Sequence, residues 1–195
     1  YEKIKSDEIL VQTYIEKKNE YCVEGCSVDR GRDVLYSIYS TYNYMIKGYY
    51  SPYRTSGSFD NPKLKECLDG MMKEIGFEGI FDAEFLVAED GTLWFLEINF
   101  RNTTWSYASA CAGMPLATIW AKSMFEGKII EGAYKHVKPF KAMVEPIDYN
   151  LRVNRGTIGK MRWFCEMLSC KCRDYINIRD LKPSWLTIKN WSKLG

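Results

Sequence analysis

The segment Phe81–Arg101, FDAEFLVAEDGTLWFLEINFR, constrains this chain more than any other. Two apolar-rich runs flank Asp90-Gly91, and Asp-Gly between such runs is the strongest short-range signal for a β-hairpin. A two-residue turn sets Glu89 opposite Thr92, Glu84 opposite Glu97 and Asp82 opposite Asn99. Because side chains alternate faces along a strand, Asp82, Glu84, Glu97, Asn99 and Arg101 are expected on one face. Leu86, Leu93 and Phe95 are expected beside them. Directly opposed like charges destabilise a sheet, so the pair Glu84/Glu97 calls for a compensating cation. Oxygen-only ligands suit Mg²⁺ or Mn²⁺, and Mg²⁺ in such sites commonly also takes phosphate oxygens. The mixed acidic and apolar face reads as the wall of a metal–nucleotide cleft; the plainer reading is the solvated face of a half-covered sheet.

Little else in the composition points to a competing chemistry. The chain has 195 residues, 46% hydrophobic and 15% aromatic, long enough for a substantial core. A formal charge of +2 with no long basic run gives no nucleic-acid arm. The seven cysteines lack paired CxxC spacing, and His136 is the single histidine, which argues against a Cys/His metal centre. Reduced thiols and a cytoplasmic location follow as the default expectation, with no role in catalysis for the cysteines. No run of 18 apolar residues suggests a membrane span, and no signal-peptide pattern is visible.

Along the chain, Ile9–Ile15 and Tyr21–Val28 read as strands around a polar turn at Glu16–Glu20, and Val34–Ile46 as a third strand. Lys47–Asp60, rich in Gly, Pro and Ser, reads as a mobile loop, with Arg54 in it as a solvated side chain or, alternatively, a contact to a phosphate or the carboxylate substrate. Asn61 and Pro62 mark a helix start and Gly76 its end, with Leu64, Leu68, Met71, Met72 and Ile75 as its apolar stripe. Trp105–Ala112 and Pro115–Gly127 read as helices broken at Gly113. Phe140–Val153 reads as a strand and Gly156–Cys170 as an amphipathic helix carrying Met161, Trp163, Phe164, Met167 and Leu168. Asp174–Trp191 is an aromatic tail broken at Pro183. The expected fold class is α+β: an antiparallel sheet with flanking helices over residues 1–130, and a smaller mixed extension over 131–195.

The block EFLVAEDGTLWFLEINFR, followed by a small-residue helix and AGMPLATIW, resembles the C-terminal nucleotide-binding subdomain of the ATP-grasp superfamily. AGMPL is similar to the carbamoyl-phosphate synthase branch, and RDLKPSWL to D-aspartate ligase-like carboxylate–amine ligases. The resemblance covers residues 8–127 best. It implies a ligase that uses ATP and Mg²⁺ (or Mn²⁺) to activate a small carboxylate as an acyl-phosphate for attack by an amine or similar nucleophile. It also implies that Glu84, Glu97 and Asn99 hold the metal and that Arg101 stabilises the group in flight. Leu86 would pack under adenine, Gln12, Tyr14 and Ile15 would line the adenine edge, and Glu20 would hold the ribose. Asp82 joins these residues from the hairpin geometry alone. The resemblance further implies that the phosphate-gripping lysines and a substrate domain lie upstream of Tyr1, so that the 195 residues alone would bind nucleotide weakly and not turn over. A non-catalytic regulatory domain and a small-molecule kinase on the same fold are the alternatives. No nucleic-acid or membrane partner is expected, and a homo-oligomer is compatible with the sequence.

Overall fold

A computed structural model of the chain describes residues 11–46, 51–177 and 180–190. Its strands are β1 (Lys17–Val28), β2 (Asp33–Tyr42), β3 (Tyr53–Gly57), β4 (Gly79–Ala88), β5 (Leu93–Asn99), β6 (Phe140–Met143) and β7 (Cys172–Arg173). They form one seven-stranded sheet in the order β5-β4-β1-β2-β3-β6-β7. Every neighbouring pair is antiparallel except β6 and β7. The helices are α1 (Pro62–Ile75), α2 (Ser106–Cys111), α3 (Leu116–Glu126), α4 (Glu145–Tyr149), α5 (Lys160–Ser169) and α6 (Leu181–Lys189), with a π-helical turn at Asn150–Asn154. The expected α+β class is observed. No helix among the described residues is long and apolar enough to cross a membrane.

Each face of the sheet has its own cover. On one face Val23, Phe81, Ala83 and Phe85 meet Leu68 and Met72 of α1 in a buried cluster. That helix starts where Asn61 accepts the Leu64 N–H at 3.1 Å. It ends where Gly76 turns left-handed at φ 67° and its N–H reaches the Met72 carbonyl. On the other face Cys26, Leu35 and Ile38 meet Ala108 of α2 and Leu116 and Ile119 of α3. This second cover reaches only one end of the face. The other end, where Glu20, Glu84, Glu97 and Asn99 emerge, stays open.

Several local expectations are corrected. Residues 11–16 form no strand, and β1 is a single strand from Lys17; positions 9 and 10 lie outside the described residues. β2 ends at Tyr42, where the Asn19 side chain takes both backbone groups of Tyr42, each at 3.0 Å. Lys47–Asp60 is not simply a loop: residues 53–57 form β3, paired with β2 and β6. The strand expected over Phe140–Val153 stops at Met143, because Pro146 opens α4. Pro183 does not break the tail; it sits in the first turn of α6, where a missing N–H costs nothing. On α5 only Trp163 and Met167 are buried, whereas Met161, Phe164 and Leu168 are exposed, as is Ile75 at the end of α1.

Candidate functional site

The site begins with the hairpin, whose turn differs from the two-residue reading. Gly91 N–H donates to the Ala88 carbonyl at 2.9 Å, and Ala88 N–H to the Thr92 carbonyl at 3.0 Å. The loop is therefore Glu89-Asp90-Gly91, with Gly91 at φ 86°, a conformation glycine adopts without Cβ strain. Val87 pairs with Leu93, Leu86 with Trp94 and Phe85 with Phe95, one step off the expected register. An irregularity then inserts Leu96 as an extra residue, and Glu84 faces Glu97 and Asp82 faces Asn99 as expected. Two departures cancel at the acidic end. They do not cancel beyond it, so Leu93 and Phe95 lie on the opposite face, where Phe95 meets Phe85 edge-on at 5.7 Å. Leu86 shares the acidic face with Trp94.

Glu84, Glu97, Asn99 and Arg101 line one open pocket of about 250 Å³ together with Glu20, Tyr42, Thr103, Thr104 and Trp105. Asn99 draws the acids together: its side-chain amide donates to Glu84 Oε1 at 2.9 Å and to Glu97 Oε1 at 3.3 Å. Arg101 in turn donates to Asn99 Oδ1 at 3.2 Å. Burial, then the charges of Asp82, Glu97 and Glu20, push the Glu84 carboxyl up to about 7. Glu20 comes from β1, opposite Leu86 of β4, and is ion-paired to Lys17. Gln12 and Tyr14 are exposed and Ile15 is half-buried, all ahead of β1 and away from the pocket lining.

Asp82 is fully buried, and neither of its carboxylate oxygens has a hydrogen-bond partner among the described residues. Burial raises its carboxyl to about 6 against the opposing field of Arg54. Arg54 itself is the largest correction at this site. Far from being a solvated loop residue, it lies on β3 with no exposed surface. It stacks on the Trp105 ring at 3.5 Å, donates to the Trp105 carbonyl at 2.8 Å, and pairs with Glu24 at 3.3 Å. Glu24 also accepts from Ser109 of α2 at 2.7 Å. Burial pushes the Glu24 carboxyl up to about 8, with Arg54 opposing. Sequence reasoning missed Glu24, Tyr42 and Trp105 as parts of this region. A lone acid within the apolar run YCVEGCSV was the available signal, since a buried carboxylate requires a partner.

The donor set suits a hard divalent cation through two carboxylates and one amide oxygen. Among the described residues no three acidic, thiol or imidazole groups already converge as a metal cage. With the amide nitrogen of Asn99 turned to both acids, metal ligation requires a half-turn of that amide to present its oxygen. Both oxygens of Asp82, and Nε and Nη1 of the buried Arg54, are left without hydrogen-bond partners among the described residues.

No family model matches the sequence, and no curated protein matches it closely enough to count as a relative. Solved structures do match. The phosphoribosylaminoimidazole carboxylase ATPase subunit from Aquifex aeolicus is similar with a TM-score of 0.54 at 14% identity, covering 67% of this chain and 41% of that one. Biotin carboxylase from Campylobacter jejuni, solved as a β,γ-ATP complex, gives 0.54 at 19% identity, covering 68% and 31%. N5-carboxyaminoimidazole synthetase from Staphylococcus aureus, complexed with ADP, gives 0.53 at 14% identity, covering 74% and 40%. The chain spans between 31% and 41% of the lengths of these three structures. The sheet, its order of elements and these likenesses together establish that the chain has the fold of an ATP-grasp subdomain.

Proposed function

We propose that the open acidic pocket is the nucleotide and Mg²⁺ site of an ATP-dependent ligase that activates a small carboxylate as an acyl-phosphate. The observation that carries this reading is the juxtaposition of Glu84, Glu97, Asn99 and Arg101 in one pocket of an ATP-grasp fold. Glu84 and Glu97, with Asn99 through its oxygen, are the proposed Mg²⁺ ligands; Mn²⁺ would fit the same donors. Bound there, the cation would offset the charge of the β- and γ-phosphates.

This chain's residues have distinct tasks in the scheme. Arg101, already oriented by Asn99 and by the Asn102 carbonyl at 3.2 Å, would stabilise the negative charge of the transferred phosphoryl group. Leu86 would offer the apolar side of the adenine site, and Glu20, on the same face, would hold the ribose hydroxyls. Gln12, Tyr14 and Ile15 remain proposed adenine-edge residues, although they reach the pocket only if the segment before β1 folds over it. The substrate carboxylate would attack the γ-phosphorus, and an amine or similar nucleophile would then displace phosphate from the acyl-phosphate. The AGMPL phrase supports a carbamoyl-phosphate synthase-like branch. The seven free thiols suit a cytoplasmic setting, with only small-molecule partners besides a possible second copy.

The test is product analysis on the natural polypeptide that carries this sequence, with Glu97→Gln as the control. A ligase releases phosphate and ADP only with carboxylate and amine both present, and the variant should lose about 100-fold in turnover. A stable phosphorylated metabolite would instead identify a kinase. Unchanged turnover in the variant would refute the metal assignment.

A further inference from the structure

Cys111 is the last residue of α2, and Cys172 is the first residue of β7, the edge strand opposite β5. They are distant in sequence but belong to one buried cluster, in which Cys172 is fully enclosed and Cys111 half-buried. α2 packs directly against β7, and the two thiols are near enough to perturb one another's ionisation. Tyr107 sits one turn earlier on α2, and its hydroxyl and the positive charge of Lys171 both favour the Cys111 thiolate. The Cys172 thiol also approaches Asp174 Oδ1 at 3.9 Å. No part of the proposed nucleotide chemistry uses this pair.

We propose that Cys111 and Cys172 form a redox modification site, with Cys111 as the thiol that meets a peroxide and Cys172 as the thiol that resolves it. Accessibility assigns the order, because only Cys111 is partly open to solvent. Chemistry agrees: the Cys172 thiol and the Tyr107 hydroxyl hold Cys111 below the usual thiol range, whereas the Cys111 sulfur and burial push Cys172 well above it.

The steps balance with hydrogen peroxide as the oxidant. The Cys111 thiolate attacks one peroxide oxygen; the S–O bond forms, the O–O bond breaks, and hydroxide leaves to take up a proton as water. Cys111 is then a sulfenic acid, oxidised by two electrons. Cys172 passes its proton to the departing oxygen and attacks the Cys111 sulfur, so that an S–S bond forms, the S–O bond breaks and a second water leaves. A dithiol reductant reverses the modification by thiol–disulfide exchange.

The link would pin α2 to the far edge of the sheet. Ser109 of that helix holds Glu24, and Trp105 just before it stacks on Arg54, so oxidation would tie the pocket wall to β7. The inference does not depend on the nucleotide reading.

The experiment is titration of the reduced protein with hydrogen peroxide, followed by non-reducing peptide mapping. The expected result is a Cys111–Cys172 cross-linked peptide that appears before oxidation of the exposed Cys67 and Cys165 and disappears with dithiothreitol. In Cys172→Ser, Cys111 should instead be trapped as a sulfenic acid that dimedone labels, which the unmodified chain does not accumulate. Cross-links to a different cysteine, prior oxidation of Cys67 or Cys165 with Cys111 and Cys172 still reduced, or no dimedone adduct at Cys111 in the variant would each overturn the proposal.

Discussion

Asp82 and Asp148 are both buried aspartates with no exposed surface, yet they differ in every other respect. Asp148 accepts from Tyr44 at 2.6 Å, from Trp163 Nε1 at 2.8 Å and from Arg152 through Nη2 at 2.6 Å. Arg152 then reaches Glu166 at 2.6 Å, closing a network that fastens α4 and the π-helical turn to α5. Among the described residues Asp82 has no partner at hydrogen-bonding geometry, and only the fields of Arg54 and Arg101 and the nearby Thr103 hydroxyl favour its charge. A buried acid saturated with partners is architecture. One left short of donors, beside a second pair of acids, is where the proposed cation would supply the missing charge.

The largest expected effect tests the saturated side of that comparison. Asp148→Ala leaves the Tyr44 hydroxyl, the Trp163 indole N–H and one edge of the Arg152 guanidinium without their shared acceptor and should cost about 3–5 kcal/mol in denaturant unfolding. Asp82→Asn, at equal burial, should cost less than about 1 kcal/mol because it removes a charge that has no hydrogen bonds to lose. Equal losses in the two variants would end the distinction.

Arg54 sharpens it from the other side. Arg54→Met leaves Glu24 buried without its cation and should cost about 3 kcal/mol, while adding Glu24→Gln should recover most of that loss. A double variant no better than the single one would show that the Trp105 stack, rather than the ion pair, is what Arg54 supplies.

A smaller effect comes from pH. The folded state raises Glu84 to about 7 and Asp82 to about 6, so it binds protons more tightly than the unfolded chain at both positions. Their protonation contributes stability that is full below the ordinary carboxylate range and is lost as pH rises through those values. In metal-free buffer the melting temperature should therefore rise as pH falls from about 8 to about 5. Glu84→Gln should make that rise shallower, leaving the part contributed by Asp82 and Glu24. Saturating Mg²⁺ and nucleotide should oppose it, because metal ligation requires ionised carboxylates. A metal-free stability that increases with pH across this window would contradict the assignment.

How legible this was in the sequence differs by region for physical reasons. The α1 boundaries were readable because Asn61, Pro62 and Gly76 each act through their own backbone geometry. The facing of Glu84 and Glu97 was readable too, though only because the longer turn and the extra residue at Leu96 offset one another. The displacement of Leu93 and Phe95 to the other face shows what the local reading missed, since an irregularity inside a strand has no turn residue to announce it. Arg54 was misread because its burial depends on β6, Trp105 and Glu24, all distant in sequence. The strand expected through Val153 failed at Pro146, a visible signal outweighed by an apolar run. The pairing of Cys111 with Cys172 was illegible, because spacing along a chain says nothing about thiols brought together by a helix and an edge strand.

The central claim is that Glu84 and Glu97 jointly hold a divalent cation with a nucleotide. The most direct measurement is electron paramagnetic resonance of Mn²⁺ titrated with ADP and the protein, comparing the natural chain with Glu84→Gln/Glu97→Gln. The account predicts that protein and ADP together deplete the free Mn²⁺ signal beyond what ADP alone does, and that the double variant abolishes this excess. An undiminished excess in the double variant would contradict it.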